Sequence, residues 1–174
     1  MIQKLGKVGV VTGIGLVSAL ILWVVFLPDT YGAILPYRFY YVLTDSMEPT
    51  IATNSLVLVK NCEDTTQIQQ GDIIVFRANR FGEAVTIMHR FSHTERNGAG
   101  ELVYKTHPEG SETPDVYETK REDILGVYLW HIPYAGKVVL FLKSEFGLLW
   151  ICQIIVILLI KALVSARWEK TCVD

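Results

Sequence analysis

The chain has 174 residues, of which 51% are hydrophobic, and its formal net charge at pH 7 is −2. This length fits one domain of modest core rather than several domains. A near-neutral charge without a basic face gives no support to nucleic-acid binding. The excess of apolar residues lies at the two ends of the chain.

Residues 8–27 form an uncharged apolar stretch that is long enough to cross a bilayer. As a helix it would span about 30 Å, the thickness of the hydrocarbon core. A cleavable signal peptide has a shorter apolar region of about 7–15 residues, and the bulky Trp23 and Phe26 suit a membrane interface. The sequence therefore predicts a retained signal-anchor. By the positive-inside rule, Lys4 and Lys7 place residues 1–7 in the cytoplasm.

Residues 28–145 are predicted to form a water-facing domain rich in β-structure. They contain 11 Lys and Arg against 16 Asp and Glu, a net charge of −5. Short apolar runs between turn residues predict strands, and Asn97-Gly98 is a strong hairpin signal. The predicted strands are 55–60, 73–76, 84–91, 101–106 and 124–132. Because no amphipathic helix of useful length lies between them, the domain is expected to be mainly β.

A second apolar segment covers residues 146–164, with Gln153 and Lys161 inside it. Arg167 and Lys170 follow, which predicts a second span with residues 165–174 in the cytoplasm and the middle domain outside. The two polar residues leave open a tilted or half-inserted amphipathic helix instead.

The three cysteines give no sign of a disulfide framework. Cys62 lies in the middle domain, Cys152 in the second apolar segment and Cys172 in the tail. If both segments span, Cys62 and Cys172 are on opposite sides of the membrane and cannot pair. Three free thiols are expected.

A serine shortly after the first apolar stretch is the candidate nucleophile. It lies in Thr44-Asp45-Ser46-Met47-Glu48-Pro49-Thr50. A free hydroxyl is a poor nucleophile until a nearby base activates it, and His89 lies in the apolar strand pattern Thr86-Ile87-Met88-His89-Arg90-Phe91. These two segments resemble the nucleophile box and the base-bearing strand of type I signal peptidases (family S26). These are membrane-bound serine proteases that remove signal peptides from exported proteins.

The resemblance implies the His-type mechanism. Most bacterial members carry Lys at the base position, whereas endoplasmic-reticulum, archaeal and some Gram-positive enzymes carry His. His89 falls at this position, and residues 84–91 contain no Lys. His93 lies about 13 Å further along an extended strand, at roughly 3.3 Å per residue. The two histidines cannot share one serine, and His93 is expected to be an exposed hairpin residue.

A third catalytic residue should fix the tautomer of the base. The family segment reads Thr-Lys-Gly-Asp-Asn with a further Asp a few residues on, and Thr106 to Asp115 corresponds to it. Only Thr106 and Asp115 match by identity. Asp115 is the expected orienting acid, with Glu109 as a weaker rival.

An oxyanion hole is also expected, formed by the backbone N–H of Ser46 and by Thr44. The resemblance gives Thr44 this role because the family uses a hydroxyl residue two positions before the nucleophile. A strand residue that only packs is the alternative for Thr44. Ile87 and Met88, before the base, are expected to line the cleft that binds substrate.

The resemblance covers Tyr37 to about Leu163, including a structural box at Gly71 to Phe76 and the segment Leu125 to Leu142 that leads to the last span. It implies a small β-barrel or sandwich domain flanked by two transmembrane helices in a cell membrane. The altered segment Thr106 to Asp115 and the well-formed second span favour a Gram-positive bacterium.

The implied activity is that of signal peptidase I, a serine endopeptidase that cuts after A-x-A-like small residues without a cofactor. No His, Cys and carboxylate spacing suggests a metal site. The expected partners are preprotein signal peptides, membrane lipid and the protein-export machinery. A non-catalytic peptide-binding module or a structural subunit of a membrane complex on the same fold remains the alternative.

Overall fold

The computed structural model describes residues 12, 15, 16, 18–20, 22, 23, 35–63 and 65–171. Side chains are described as far as residue 158 and at residues 160 and 161. The expected cytoplasmic N-terminus (1–7) and most of the first predicted span (8–27) lie outside these residues. So do residues 28–34 of the middle domain and the end of the predicted cytoplasmic tail (172–174).

Six antiparallel strands form one sheet in the order β1-β2-β6-β3-β4-β5. Their bounds are β1 Tyr37–Tyr41, β2 Leu56–Asn61, β3 Ile73–Arg80, β4 Glu83–Arg96, β5 Leu102–His107 and β6 Ile124–Ile132. The prediction of a mainly β domain is confirmed. The expectation was a small β-barrel or sandwich, and the sheet is not closed into a barrel in the described part of the chain. There β6 inserts between β2 and β3, and β1 and β5 remain as edges that do not pair with each other.

The predicted strands agree with the structure best at β6 and at the hairpin between β4 and β5. The bounds of β6 are those predicted, and the hairpin at Asn97 joins β4 to β5, with the Asn97 side chain accepting bonds from the N–H groups of Ala99 and Glu101. β3 continues past the predicted 73–76 to Arg80, because this polar extension pairs with β4 across a tight turn.

The core consists of two apolar clusters, one on each face of the sheet. In β3, Ile73 and Val75 join a cluster with Met47, whereas Ile74 and Phe76 join a cluster with Phe91. Neighbouring residues of a strand point to opposite faces, so a strand covered on both faces is apolar throughout. The buried Met47 fixes the segment that carries Ser46.

Two helices follow the sheet, α1 (Gly136–Lys143) and α2 (Glu145–Thr171). Ser144 separates them, and its hydroxyl accepts a hydrogen bond from the N–H of Gly147, as a helix N-cap does. No single helix in the described ranges is long and apolar enough to cross a membrane. Gly136–Lys143 and Glu145–Leu158 reach the required length and composition only together, with a bend of 78°.

The chain divides into two compact units, Met1–Lys137 and Val138–Asp174. In the described part of the chain, Cys62 and Cys152 form no disulfide. Cys172 lies outside the described residues.

Candidate active site

Ser46 lies in a well-fixed turn segment directly after β1. Its neighbour Met47 is 1% exposed and anchors the segment in the core. The N–H of Ile51 donates to the carbonyl of Met47 at 2.8 Å. Glu48 accepts hydrogen bonds from the backbone N–H of Thr53 at 3.0 Å and from its hydroxyl at 2.8 Å. The serine backbone is therefore held by burial on one side and by a closed turn on the other.

Ser46 has two contacts to other candidate residues. Its hydroxyl lies 3.2 Å from the hydroxyl of Thr44. Its carbonyl accepts a hydrogen bond from the N–H of Glu109 at 2.8 Å. The Glu109 carboxylate is paired with Arg90 at 2.5 Å, and Arg90 also donates to the carbonyl of Gly71 at 2.7 Å. Glu109 thus binds the residue next to His89 rather than His89 itself.

His89 is buried in β4 opposite Ile74 of β3. Its ring meets Phe76 edge-on at 6.5 Å between centroids. The Nδ1 atom lies 2.7 Å from Oδ2 of Asp115. The same oxygen accepts a 2.6 Å hydrogen bond from the hydroxyl of Thr106, and the N–H of Asp115 donates to the carbonyl of Thr106 at 2.7 Å. Strand β5 thus holds Asp115 against the imidazole.

The electrostatics of this pair favour an ionised carboxylate. Burial alone would raise the pKa of Asp115, but hydrogen bonds from His89 and Thr106 and the charges of His89 and His107 outweigh it and lower that pKa. An ionised Asp115 keeps the proton of the neutral imidazole on Nδ1. Nε2 is then the nitrogen that can accept a proton.

The predicted site residues therefore fall into two groups, Thr44 with Ser46 and His89 with Asp115. Among the hydrogen bonds of the described residues, none joins the hydroxyl of Ser46 to the His89 ring. The hydrogen bond between a nucleophile and its base often becomes short only when substrate binds. The two groups are linked through Glu109, which bonds the Ser46 backbone and pairs with Arg90, the residue after His89.

Ile87 and Met88 lie on opposite faces of β4. Met88 packs against the cluster that contains Met47, whereas Ile87 packs against the cluster that contains Phe76. Only Ile87 shares the face of His89. His93 is exposed, as predicted, with its ring 3.1 Å from the hydroxyl of Ser92.

An open groove of about 680 Å³ lies beside β4 and β5. None of Ser46, His89 and Asp115 lines this groove. The groove is therefore not the candidate active site. Its lining residues are Thr66, Gln67, Ile68, Gln69, Gln70, Phe91, Ser92, His93, Thr94, Leu102 and Tyr104.

The family model described as "Signal peptidase, peptidase S26" matches residues 13–105, more than half of the chain. The chain belongs to this family. The matched region of this S26 chain includes Ser46 and His89 and ends before Asp115. The assignment of Asp115 therefore depends on the geometry described above and on the resemblance of its segment.

Several curated proteins resemble this S26 chain. Signal peptidase I W of Bacillus subtilis (strain 168) is 33% identical over 96 residues, which are 55% of this chain and 48% of that protein. The signal peptidase complex catalytic subunits SEC11 of Metarhizium robertsii and sec11 of Sclerotinia sclerotiorum are 26% and 28% identical over 118 residues, 63% of this chain and 66% of each relative. The chain thus spans about half the length of the bacterial relative and just under two thirds of the fungal ones.

Two contacts at the site were not predicted from the sequence. Sequence reasoning treated Glu109 as a rival of Asp115 and gave Arg90 no part, although Arg90 directly follows the base. The hydroxyl of Thr106 was also missed, although Thr106 is one of only two identities in its segment.

Proposed function

We propose that this chain is a membrane-anchored serine endopeptidase that removes signal peptides from exported preproteins, cutting after small residues. The observation that carries the proposal is the 2.7 Å contact between the buried His89 and Asp115 in a chain of the S26 family. A histidine held in one tautomer by a carboxylate is the arrangement that activates a serine. The same strand segment gives no lysine that could replace it.

In the proposed mechanism, Ser46 Oγ attacks the carbonyl carbon before the cleaved bond. Nε2 of His89 accepts the serine proton and then delivers it to the leaving amine. Asp115 stabilises the imidazolium that exists between these steps. Water, deprotonated by His89, then hydrolyses the acyl-enzyme and returns Ser46 to its starting state.

The preprotein is proposed to bind in extended form beside a strand of the sheet, with Ile87 on the His89 face of β4. Two apolar segments, residues 8–27 and 146–164, are proposed to hold the sheet domain outside the membrane with both termini in the cytoplasm. Because SEC11 relatives are named as subunits of a complex, partners in the export machinery are part of the proposal. The Gram-positive origin stays a prediction.

Thr44 is proposed to stabilise the oxyanion together with the N–H of Ser46. The proposal is supported by the distance of 3.2 Å between the Thr44 hydroxyl and the hydroxyl of Ser46. We expect Thr44→Ser to keep most activity and Thr44→Val to lower kcat by roughly 10²–10³-fold, the usual effect of losing one donor. Steady-state cleavage of a preprotein checks this. Equal losses in both variants would instead assign Thr44 a packing role.

The proposed function is tested with the purified full chain and a radiolabelled preprotein that carries an A-x-A signal sequence. Wild type should release the mature protein at the predicted bond, and Ser46→Ala should release none while it still binds the preprotein. If wild type binds the preprotein without cutting it, in the presence and absence of lipid, the non-catalytic alternative is correct.

A further inference from the structure

Thr106 is a buried hydroxyl residue at the candidate active site. It lies next to the end of β5, and 2% of its surface is exposed. It pairs with Phe91 of β4, which comes two residues after His89. Directly opposite residues of an antiparallel pair share one face of the sheet, and so do alternate residues of a strand. The side chain of Thr106 therefore lies on the face that carries the imidazole of His89.

Two hydrogen bonds join Thr106 to Asp115. Oγ1 of Thr106 donates to Oδ2 of Asp115 at 2.6 Å, and the carbonyl of Thr106 accepts from the N–H of Asp115 at 2.7 Å. The first bond fixes the carboxylate, and the second fixes the backbone that carries it. Residues 108–114, which lead from β5 to Asp115, contain no helix or strand. The regular strand β5, through Thr106, therefore sets the position of the carboxylate.

The direction of the side-chain bond suits an ionised acid. A carboxylate accepts hydrogen bonds and has none to donate, so the Thr106 hydroxyl is the donor. Its acceptor, Oδ2, is the oxygen that lies 2.7 Å from Nδ1 of His89. Burial opposes the ionised form, but hydrogen bonds from His89 and Thr106 outweigh burial and lower the pKa of Asp115. Both donors thus favour the charge that holds the imidazole proton on Nδ1.

The charged side chains near Asp115 have other partners or act through their charge. Arg90 pairs with Glu109. His107 donates its Nδ1–H to a backbone carbonyl at 2.9 Å, and its effect on Asp115 is one of charge. Such an effect changes as the imidazole titrates, whereas a threonine hydroxyl keeps its proton across the working range of pH. Thr106 thus holds Asp115 in a way that does not depend on pH.

We propose that Thr106 is a positioning residue, whose hydroxyl keeps Oδ2 of Asp115 in line with Nδ1 of His89 and so leaves Nε2 free to accept the serine proton. Thr106 acts through Asp115 and takes no direct part in the making or breaking of bonds. The inference rests on the proposed function, since it explains how the acid of that mechanism is held. The alternative is a buried hydroxyl that serves the fold alone.

The test compares two substitutions at position 106. Thr106→Val removes the hydroxyl but retains the β-branched shape and the backbone bond to Asp115. Loss of a hydrogen bond to a charged group should lower kcat by about 10–100-fold, with little change in KM. Thr106→Ser retains the hydroxyl and should recover most of this loss. Cleavage of an A-x-A preprotein by the purified full chain measures both variants, with circular dichroism to verify folding.

Thr119→Val is the matched control. Thr119 is also 2% exposed and is also bonded to β5, because its carbonyl accepts from the N–H of Tyr104 at 2.8 Å. Its hydroxyl is buried and has no hydrogen-bond partner among the described residues. The same chemical change at this position should therefore leave kcat unchanged. Equal losses in the two valine variants would overturn the inference.

The pH profile separates positioning from folding. An Asp115 carboxylate with one donor fewer carries more uncompensated charge and holds the imidazolium proton more strongly. The pH below which kcat falls should therefore be higher in Thr106→Val than in wild type, and it should be unchanged in Thr106→Ser and Thr119→Val. A loss of folded protein lowers the rate in equal proportion at every pH. A loss in Thr106→Val without this shift contradicts the proposal.

A readout that needs no cleavage separates this inference from the proposed function. Nitrogen-15 NMR of the His89 ring, with its signals assigned by their loss in His89→Ala, reports which nitrogen carries the proton. The neutral ring should carry it on Nδ1 in wild type, and Thr106→Val should give a mixture of tautomers.

If wild type cuts the preprotein and Thr106→Val matches it in rate, pH profile and tautomer, the inference alone is overturned. If wild type cuts nothing, the proposed function is overturned. In that case a mixture of tautomers in Thr106→Val still supports the hold of Thr106 on the pair of Asp115 and His89, and an unchanged tautomer overturns the inference as well.

Discussion

Replacement of His89 by alanine is expected to abolish cleavage as completely as replacement of Ser46, with a loss in kcat of up to about 10⁶-fold. The serine hydroxyl has no other base within the proposed mechanism, so the two residues act as one unit. The double variant Ser46→Ala/His89→Ala should be no worse than either single variant. Single-turnover cleavage of a preprotein, with circular dichroism to verify folding, measures the effect.

Asp115→Asn is expected to lower kcat by roughly 10⁴-fold, because an amide at this position favours the wrong tautomer of His89. The hydrogen bond of Thr106 to this position should survive, so the fold should be retained. His93→Ala is the matched control, since His93 lies on the same strand and is exposed; its activity should be close to wild type. The assignment of the base is wrong if His93→Ala abolishes cleavage and His89→Ala does not.

Five of the six strands were predicted, because their residue pattern reflects local burial, whereas β1 (Tyr37–Tyr41) was not among the predicted strands. The run Ile73 to Phe76 is apolar at every position, and the structure covers this strand on both faces. The open sheet was not predictable, because it depends on which distant strands pair. The insertion of β6 between β2 and β3 joins residues that are 48 to 76 positions apart in sequence, and no local pattern encodes that choice.

The candidate site was predictable only in part, for a similar reason. Ser46 and His89 each lie in a short segment whose sequence is specific to the family. The roles of Asp115 and Glu109 depend on a loop whose sequence matches the family segment at only two positions. The structure separates these two acids: Asp115 contacts His89, and Glu109 contacts Arg90. Ile87 and Met88 were both expected to line the substrate cleft because they precede the base. The two side chains lie on opposite faces of β4, and their role in the cleft stays a prediction.

The pair of Arg90 and Glu109 is expected to position the nucleophile. Glu109 holds the Ser46 carbonyl through its backbone N–H, and its carboxylate binds Arg90, which also holds the carbonyl of Gly71. The pair joins four segments: the strand of the base, the loop of the acid, the turn before β3 and the turn that carries Ser46. Its side chains are 27% and 19% exposed, so the loss of either partner leaves a charge that is poorly solvated.

Arg90→Ala and Glu109→Ala should each lower kcat by about 10²-fold with little change in KM, because a shift of about 1 Å in a reacting group costs that much. The charge swap Arg90→Glu/Glu109→Arg should recover part of the loss. A role in stability alone would lower the unfolding temperature without a defect in kcat for the folded fraction, and that result would contradict the prediction.

The matched control is the ion pair of Lys120 and Glu101, which has a similar length of 2.9 Å but side chains that are 40% and 50% exposed. Exposed pairs contribute about 0–1 kcal/mol, and this pair has no contact with Ser46. Lys120→Ala should therefore leave kcat unchanged. If Lys120→Ala and Arg90→Ala reduce kcat equally, general destabilisation explains both, and Glu109 does not position the serine. If only Arg90→Ala and Glu109→Ala reduce kcat, the hydrogen bond from the Glu109 N–H to the Ser46 carbonyl depends on the ion pair between Arg90 and Glu109.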